Sequence, residues 1–368
     1  MSKYIYQYKE WPEFWWDSSS ILPLLGEVRN LQGRLTGRME SLGFQLRDKA
    51  TLDSLTLEIT KSTEIEGEFL DADRVRSSVA RKLGIDIAGS IQSDRNVDGI
   101  VDMMIDATQN YSGIISDERL FGWHSALFPS GRSGMQRIAV GQWRTGSVGP
   151  MQVVSGPIGR EKVHYQALDA EAVPEEMRRF INWFNNDQGL DPVLKAGVAH
   201  LWFVTVHPFE DGNGRIARAL TEMLLARSDN SSQRFYSMSS QIRTIRNSYY
   251  EILESTQKGD TDITDWLKWF LDCLKDAMES SGSVLSKILS KSEFWKLHAT
   301  TVFNERQVLM LNKLLEGFEG KLTSSKWAKI THCSADTALR DIQDLIGMNV
   351  LRKEPAGGRS THYELVKF

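Results

Sequence analysis

The chain has 368 residues, 41% hydrophobic and 25% charged, with a formal net charge of −4 and two cysteines, Cys273 and Cys333. This is the composition of a globular protein too long for one hydrophobic core, so two or three domains are expected and extensive disorder is disfavoured. The small negative charge gives no overall pull toward nucleic acid or anionic membrane, two cysteines make neither a disulfide framework nor a zinc site, and no signal peptide or eighteen-residue apolar run is present. A reducing, cytoplasmic setting without a membrane partner is therefore expected.

Three zones follow one another. The first, to about Leu83, opens on the aromatic-rich MSKYIYQYKEWPEFWW and continues with Ile21, Leu24, Leu25, Val28, Leu31 and Leu35 at helical spacing. In LTLEITKSTEIEGEF, Leu55, Ile59, Ser62 and Glu66 share one helix face, which sets Glu66 on an otherwise buried stripe where a carboxylate needs a partner. The second zone, Asp86 to Asp276, is mostly helical patterns, broken between Gly131 and Gly159 by a stretch with seven glycines. Within it RIAVGQW and MQVV are expected to pair as a hairpin that KVHYQ continues. A helix-rich linker leads to a third zone from Phe303, where three helical patterns, the second and third behind serine caps, precede two short β patterns around an AGGR turn. That order predicts a winged helix, a unit that suits DNA binding through its third helix. Its charge is a weak footprint for DNA: ten Lys/Arg against eight Asp/Glu from Phe303 onward, with Asp336, Asp341 and Asp344 against Arg340 on the reading helix. A protein-interaction or dimerisation role fits that surface equally.

The densest chemistry is HPFEDGNGRIAR, His207 to Arg218. Buried helical patterns precede and follow it, so Gly212, Asn213 and Gly214 stand where a helix begins, with unpaired N–H groups and room for close approach of an anion. Arg215 and Arg218, three apart on neighbouring surface, suit a grip on successive phosphates. Asp211 suits Mg²⁺ bridging a carboxylate and phosphates, and His207 suits a general base. Taken singly, a His-Pro loop, a glycine turn and paired arginines each fit a purely structural role. Their coincidence at one helix N-terminus is what points to a site.

The stretch matches the signature His-x-Phe-x-Asp/Glu-Gly-Asn-Gly-Arg-x-x-Arg, and the chain from about Val97 to Leu274 resembles the Fic family. The resemblance implies a helical core that transfers AMP from ATP to a Tyr, Thr or Ser hydroxyl of a target protein, which can be the chain itself, and releases pyrophosphate. By it His207 takes the hydroxyl proton, Asp211 holds Mg²⁺, Gly212, Asn213 and Gly214 line the phosphate site, Arg215 and Arg218 grip the outer phosphates, and Phe209 packs into the core. KVHYQAL resembles the hairpin flap that docks a target segment as an added strand, which assigns Val163, His164 and Tyr165 to target docking; an ordinary surface hairpin is the other reading. SSQIRTIRNSYYEIL resembles the helix near the nucleotide base, where Tyr249 or Tyr250 lines the adenine pocket or packs in the core. Ser62-Thr-Glu-Ile-Glu66-Gly67 matches the inhibitory motif Ser/Thr-x-x-x-Glu-Gly/Asn, whose glutamate pairs with the second signature arginine, here Arg218. Tyr4 to about Ser41 resembles the N-terminal domain accompanying such proteins in bacteria.

The expectation is a mainly α chain: an N-terminal helical domain with inhibitory helix (1–85), a Fic catalytic domain with a small β-hairpin flap (86–276), a helical linker (277–302) and a winged helix (303–368). The expected function is an autoinhibited protein adenylyltransferase using ATP and Mg²⁺, with an oligomer allowed. The alternative is a winged-helix regulator whose Fic site senses nucleotide or removes AMP.

Overall fold

The computed structural model describes residues 4–366 apart from 41, 88–89, 147–148, 156–159, 161, 187–188, 319 and 355–360. The chain divides into two compact units, 1–281 and 282–368. The fold is mainly helical, with small two-stranded sheets.

In the first unit Ile21, Leu25, Val28, Leu35 and Met39 are buried on α1 (Ser18–Glu40), while the preceding segment lies against residues 261–263, with Trp15 N–H donating to Thr261 O at 3.0 Å. The next helix, α2 (Phe44–Ile65), buries Leu52, Leu55 and Ile59 as the periodicity requires. It also buries Glu58, which accepts from Ser237 Oγ at 2.7 Å and from Ser239 N–H at 3.0 Å, and those bonds offset the cost of a buried carboxylate. Helices α3 (Ala72–Leu83), α4 (Arg95–Gln109) and α5 (Asp117–Leu127) start where Asp71, Asp94 and Ser116 accept N–H groups of the first turn.

The glycine-rich stretch differs from expectation. MQVV supplies β3 (Gln152–Ser155), but its partner is β4 (Lys162–Gln166) within KVHYQ. Of RIAVGQW only Arg137 enters a strand, β2 (Gln136–Arg137), paired with β1 (Arg132–Ser133). The rest of RIAVGQW is held by the HPFED loop instead: Ala139 N–H donates to Glu210 at 3.0 Å, and just beyond it Arg144 N–H donates to Pro208 O at 2.9 Å.

Beyond α6 (Val173–Asn185), every residue from Val193 to Val206 on α7 (Pro192–Val206) is buried, as the apolar KAGVAHLWFVTV predicts. Its antiparallel partner α8 (Asn213–Asp229) is buried from Arg215 to Ala226. The two form the centre of the unit, and the HPFEDG loop joins them. They are followed by α9 (Met238–Thr244), α10 (Arg246–Gln257) and α11 (Thr264–Leu297).

The second unit contains α12 (Glu305–Gly317), α13 (Ser324–Thr331), α14 (Ala335–Gly347) and an antiparallel pair, β5 (Leu351–Lys353) with β6 (Tyr363–Leu365). Met310, Leu311, Trp327, Ile342 and Leu345 form its core. Ser334 caps α14 as expected, but Thr323, not a serine, caps α13. Asp341 is buried against Arg306 at 2.7 Å, so it leaves the exposed face of α14 with Asp336, Arg340 and Asp344. The AGGR turn lies outside the described residues. Among the described residues no helix is long and apolar enough to cross a membrane.

Candidate active site

α7 ends because His207 takes a left-handed backbone, φ 52° and ψ 58°, a region that a residue with a Cβ occupies only when its surroundings impose it. Phe209, fully buried, stacks on His124 at 4.2 Å between ring centres. Asn213 closes the loop on itself: its Oδ1 accepts Phe209 N–H at 2.9 Å and its Nδ2 donates to Phe209 O at 2.8 Å. His124 lies between Asp211 O (3.2 Å from Nε2) and Gly141 N–H (3.1 Å from Nδ1). A carbonyl only accepts and an N–H only donates, so Nε2 carries the proton. Gly212 at φ 82° completes the turn, and a Cβ there would come within 2.9 Å of the Phe128 ring.

The arginines are not on the surface, as their spacing alone suggested; each is 2% exposed. Arg215 Nη1 donates to Glu68 at 3.0 Å, and Arg218 donates through Nε to Ser62 Oγ (2.8 Å) and through Nη2 to Ser62 O (2.8 Å) and Glu66 (2.7 Å). Among the described residues Arg215 Nε and Arg218 Nη1 are buried donors without a hydrogen-bond partner, a state that an anion at the N-terminus of α8 would relieve. The Glu66 carboxylate lies against the first turn of α8, where a Cβ on Gly214 would collide with it.

Glu66 reaches this place as the C-cap of α2, one residue beyond the helix proper. Gly67 at φ 85° reverses the chain, its N–H donating to Glu64 O at 3.1 Å while Glu68 N–H donates to Thr63 O at 3.2 Å. This is the Schellman pattern, and it explains the glycine after the glutamate. Arg246 Nε donates to Ile65 O at 2.8 Å and fixes the end of α2.

His207 Nδ1 lies 3.3 Å from Val204 O, which can only accept, so Nδ1 holds the ring proton and Nε2 keeps its lone pair. Burial chiefly, with the Arg144 cation adding to it, pushes the imidazole down to about 4, so the ring is neutral at pH 7. Beside it opens a cavity of about 390 Å³. Its walls come from Glu66, His207, Gly214, the flap residues Val153, Val154, His164 and Tyr165, and Arg246, Tyr249, Tyr250, Leu253, Glu254 and Gln257 of α10.

Residues 114–225 match the Fic/DOC family, and residues 4–85 match a domain of unknown function, DUF4172. The chain carries a Fic/DOC family domain. It is 33% identical over 96 residues to protein adenylyltransferase fic-1 of Caenorhabditis elegans, covering 26% of this chain and 18% of that one. To protein adenylyltransferase Fic of Drosophila mojavensis it is 34% identical over 105 residues, 28% of this chain and 19% of that one. It thus spans about a fifth of the length of these relatives. In fold it is similar to the crystal structure of a Fic family protein from Desulfovibrio desulfuricans G20, with a TM-score of 0.55 at 20% identity over 95% of this chain and 97% of that one.

Around this Fic loop the fold brings together His207, Asp211, Gly212, Gly214, Arg215, Arg218, Ser62, Glu66, Gly67, Tyr249 and Tyr250. Asn213 is nearby, but its amide is committed to Phe209, which leaves only its backbone N–H for a phosphate. Tyr249 is 2% exposed with its hydroxyl 2.8 Å from His200 Nε2, so it is both core and cavity wall; Tyr250 is less buried and borders the same space. The flap residues do not act alike. A β-bulge makes His164 the extra residue of β4, which turns Val163 outward and Tyr165 inward. Tyr165 is buried with its hydroxyl donating to Thr205 O at 2.6 Å, so its side chain anchors the flap and cannot contact a target. His164 is tied to Glu254 at 2.6 Å.

Asp211 interacts with Ser133 and lies 3.7 Å from Arg215 Nη2. Among the described residues no group of three or more His, Cys, Asp or Glu is arranged to hold a metal ion. One carboxylate beside a helix N-terminus is the donor set that Mg²⁺ would need if phosphates and water supplied the rest of its shell. Glu68, Ser133, His124, Arg144 and Arg246 were not anticipated from the sequence. Glu68, two residues past Glu66, lies nearest to a residue that the sequence did single out.

Three imidazoles of this region are held neutral by burial: His124 and His207 at about 4 and His200 at about 3, against an ordinary 6.5. Their folded values are depressed, so the stability they contribute is present above pH 6.5 and is lost as pH falls toward those values. Glu222, pushed up to about 7 by burial, works the other way. Three depressed rings oppose one raised carboxyl, so the fold should be less stable at pH 5.5 than at pH 7. Denaturant melts at the two pH values check this; equal midpoints would refute the neutral-histidine assignment.

Proposed function

We propose that the chain is a protein adenylyltransferase restrained by Glu66. In this reading ATP lays its phosphates on the N-terminus of α8, with Arg215 and Arg218 on the outer phosphates and the base in the cavity beside Tyr250. Mg²⁺ on Asp211 would neutralise phosphate charge. The target segment pairs with the β3–β4 hairpin, whose outer edges suit strand addition. His207 Nε2 takes the proton of a Tyr, Thr or Ser hydroxyl, whose oxygen bonds to the α-phosphorus while the bond to the β-phosphate oxygen breaks and pyrophosphate leaves. The observation that carries the reading is His207, its Nδ1 proton committed to Val204 O, on the wall of a cavity that Glu66 and Gly214 also line, with Arg215 Nε and Arg218 Nη1 on the following helix buried and without a hydrogen-bond partner among the described residues.

Glu66 supplies the restraint, since its carboxylate already holds Arg218 and lies on the helix N-terminus that a phosphate would occupy. Glu68 holds Arg215 likewise, but with 48% of its side chain exposed against 29% for Glu66. An exposed pair is worth about 0–1 kcal/mol, so Glu68→Ala should raise transfer by no more than about fivefold. A rise matching that of Glu66→Gly would make Glu68 the principal brake.

The function is tested by incubating the full chain and candidate targets with ATP labelled on the α- or the γ-phosphate. AMP transfer places α-label, and no γ-label, on protein. Retention of γ-label would indicate phosphoryl transfer and overturn the reading. The second unit is proposed as a winged-helix interaction module; Asp336 and Asp344 against Arg340 on the exposed face of α14 favour a protein over DNA as its partner.

A further inference from the structure

Four successive carbonyls, Thr205, Val206, His207 and Pro208, end α7 and begin the Fic loop. A helix end leaves such groups without intrahelical donors, and a buried one needs them supplied from elsewhere. Here the donors come from the flap strand and its approach. Tyr165 Oη donates to Thr205 O at 2.6 Å. Arg144 donates through Nε to His207 O at 2.8 Å, through Nη2 to Val206 O at 3.5 Å, and through its backbone N–H to Pro208 O at 2.9 Å. Arg144 Nη2 also donates to Leu168 O, two residues beyond the end of β4. Arg144 is 5% exposed, and among the described residues its guanidinium's hydrogen bonds go to carbonyls and none to a carboxylate. A buried cation committed to backbone is costly unless geometry depends on it.

We propose that Arg144 is a positioning residue for the transfer reaction: one guanidinium ties the His207 backbone to the outgoing end of the flap, and so sets the distance between the base and a hydroxyl docked on that flap. The planar fork matters as much as the charge. Nε and Nη2 point at His207 O and Leu168 O together, which a lysine ammonium cannot reproduce at the same separation. The bridge also helps hold His207 in its left-handed conformation, since its own carbonyl and those of both neighbours, Val206 and Pro208, accept from Arg144.

The inference rests on the proposed role of His207, so the test separates the two. Arg144→Lys and Arg144→Gln are prepared in the full chain, with His207→Asn to assign the His207 ring signals in NMR spectra. Three quantities are followed: α-label transfer, ATP affinity and the His207 titration. The charged groups facing that ring are Arg144, Glu66 and Asp211, with Arg246, His164 and Glu254 around the same cavity. Arg144→Lys keeps the cation, so His207 should titrate close to the wild-type value with shifted ring resonances; kcat should fall about tenfold or more while ATP affinity stays within about twofold. Arg144→Gln removes the cation, so the His207 titration should move upward. Wild-type kcat in Arg144→Lys, or a loss of transfer that only tracks lost ATP affinity, overturns the proposal. If wild type carries no label at all, the transferase reading fails, and the ring decides alone: unchanged His207 resonances in Arg144→Lys overturn the positioning role. If Arg144→Gln does not fold, Arg144→Lys decides.

Discussion

His207→Ala is expected to lower AMP transfer by roughly 10² to 10⁴ while leaving ATP affinity within about twofold. The reason is the division of labour around the loop. In the proposed reading the phosphate grip belongs to Arg215, Arg218 and the first turn of α8, none of which hydrogen-bonds the imidazole among the described residues. The ring's one hydrogen-bond partner among the described residues is Val204 O, so truncating it removes a proton acceptor and leaves the loop held by Phe209, Asn213 and Arg144. The pH dependence follows. The free ring loses its lone pair to a proton only near pH 4, so the acid limb of kcat/KM should lie well below the 6.5 of an ordinary histidine. Labelling and nucleotide binding measured on the same preparation check both points; undiminished labelling would remove His207 from the mechanism.

Glu66→Gly should raise transfer by about ten- to a hundredfold, because a charge-assisted hydrogen bond of roughly 1.5–3 kcal/mol is released from Arg218. The 29% exposure of the Glu66 side chain favours the lower end. Glycine also tolerates the helix C-cap, and Gly67 still makes the left-handed turn, so the variant removes a carboxylate without unseating α2, which remains held by Glu58 and Arg246. Arg218→Ala on the Glu66→Gly background should cancel the gain, since the freed partner no longer exists. A gain that persists without Arg218 would mean that Glu66 acts by blocking the cradle sterically and not by occupying the arginine.

Much of this was legible in the sequence because the signals were local. The buried run of α7, the glycine turn at the start of α8 and the Glu66–Arg218 contact follow from spacing within short segments and one motif match. What was not legible depended on which backbone claims which. RIAVGQW has the alternation of a strand, but Arg144 and Ala139 give their N–H groups to the HPFED loop, and that competition is invisible until α7 and α8 are placed. Arg215 and Arg218 looked like surface residues because helical spacing does not reveal that Glu68 and Phe128 meet the first and Ser62 and Glu66 the second. Plain alternation would set Val163 and Tyr165 on one face, and only the bulge at His164 separates them. Glu68 needed the Schellman turn to bring it beside Arg215.

The most direct measurement is the single-turnover rate at which α-phosphate label from Mg²⁺-ATP enters protein in four full-length chains: wild type, Glu66→Gly, His207→Ala and the double variant. The account predicts slow labelling in wild type, labelling about tenfold or more faster in Glu66→Gly, and loss of that gain when His207 is also removed. Equal rates in wild type and Glu66→Gly at saturating Mg²⁺-ATP, or fast labelling in the double variant, would contradict it.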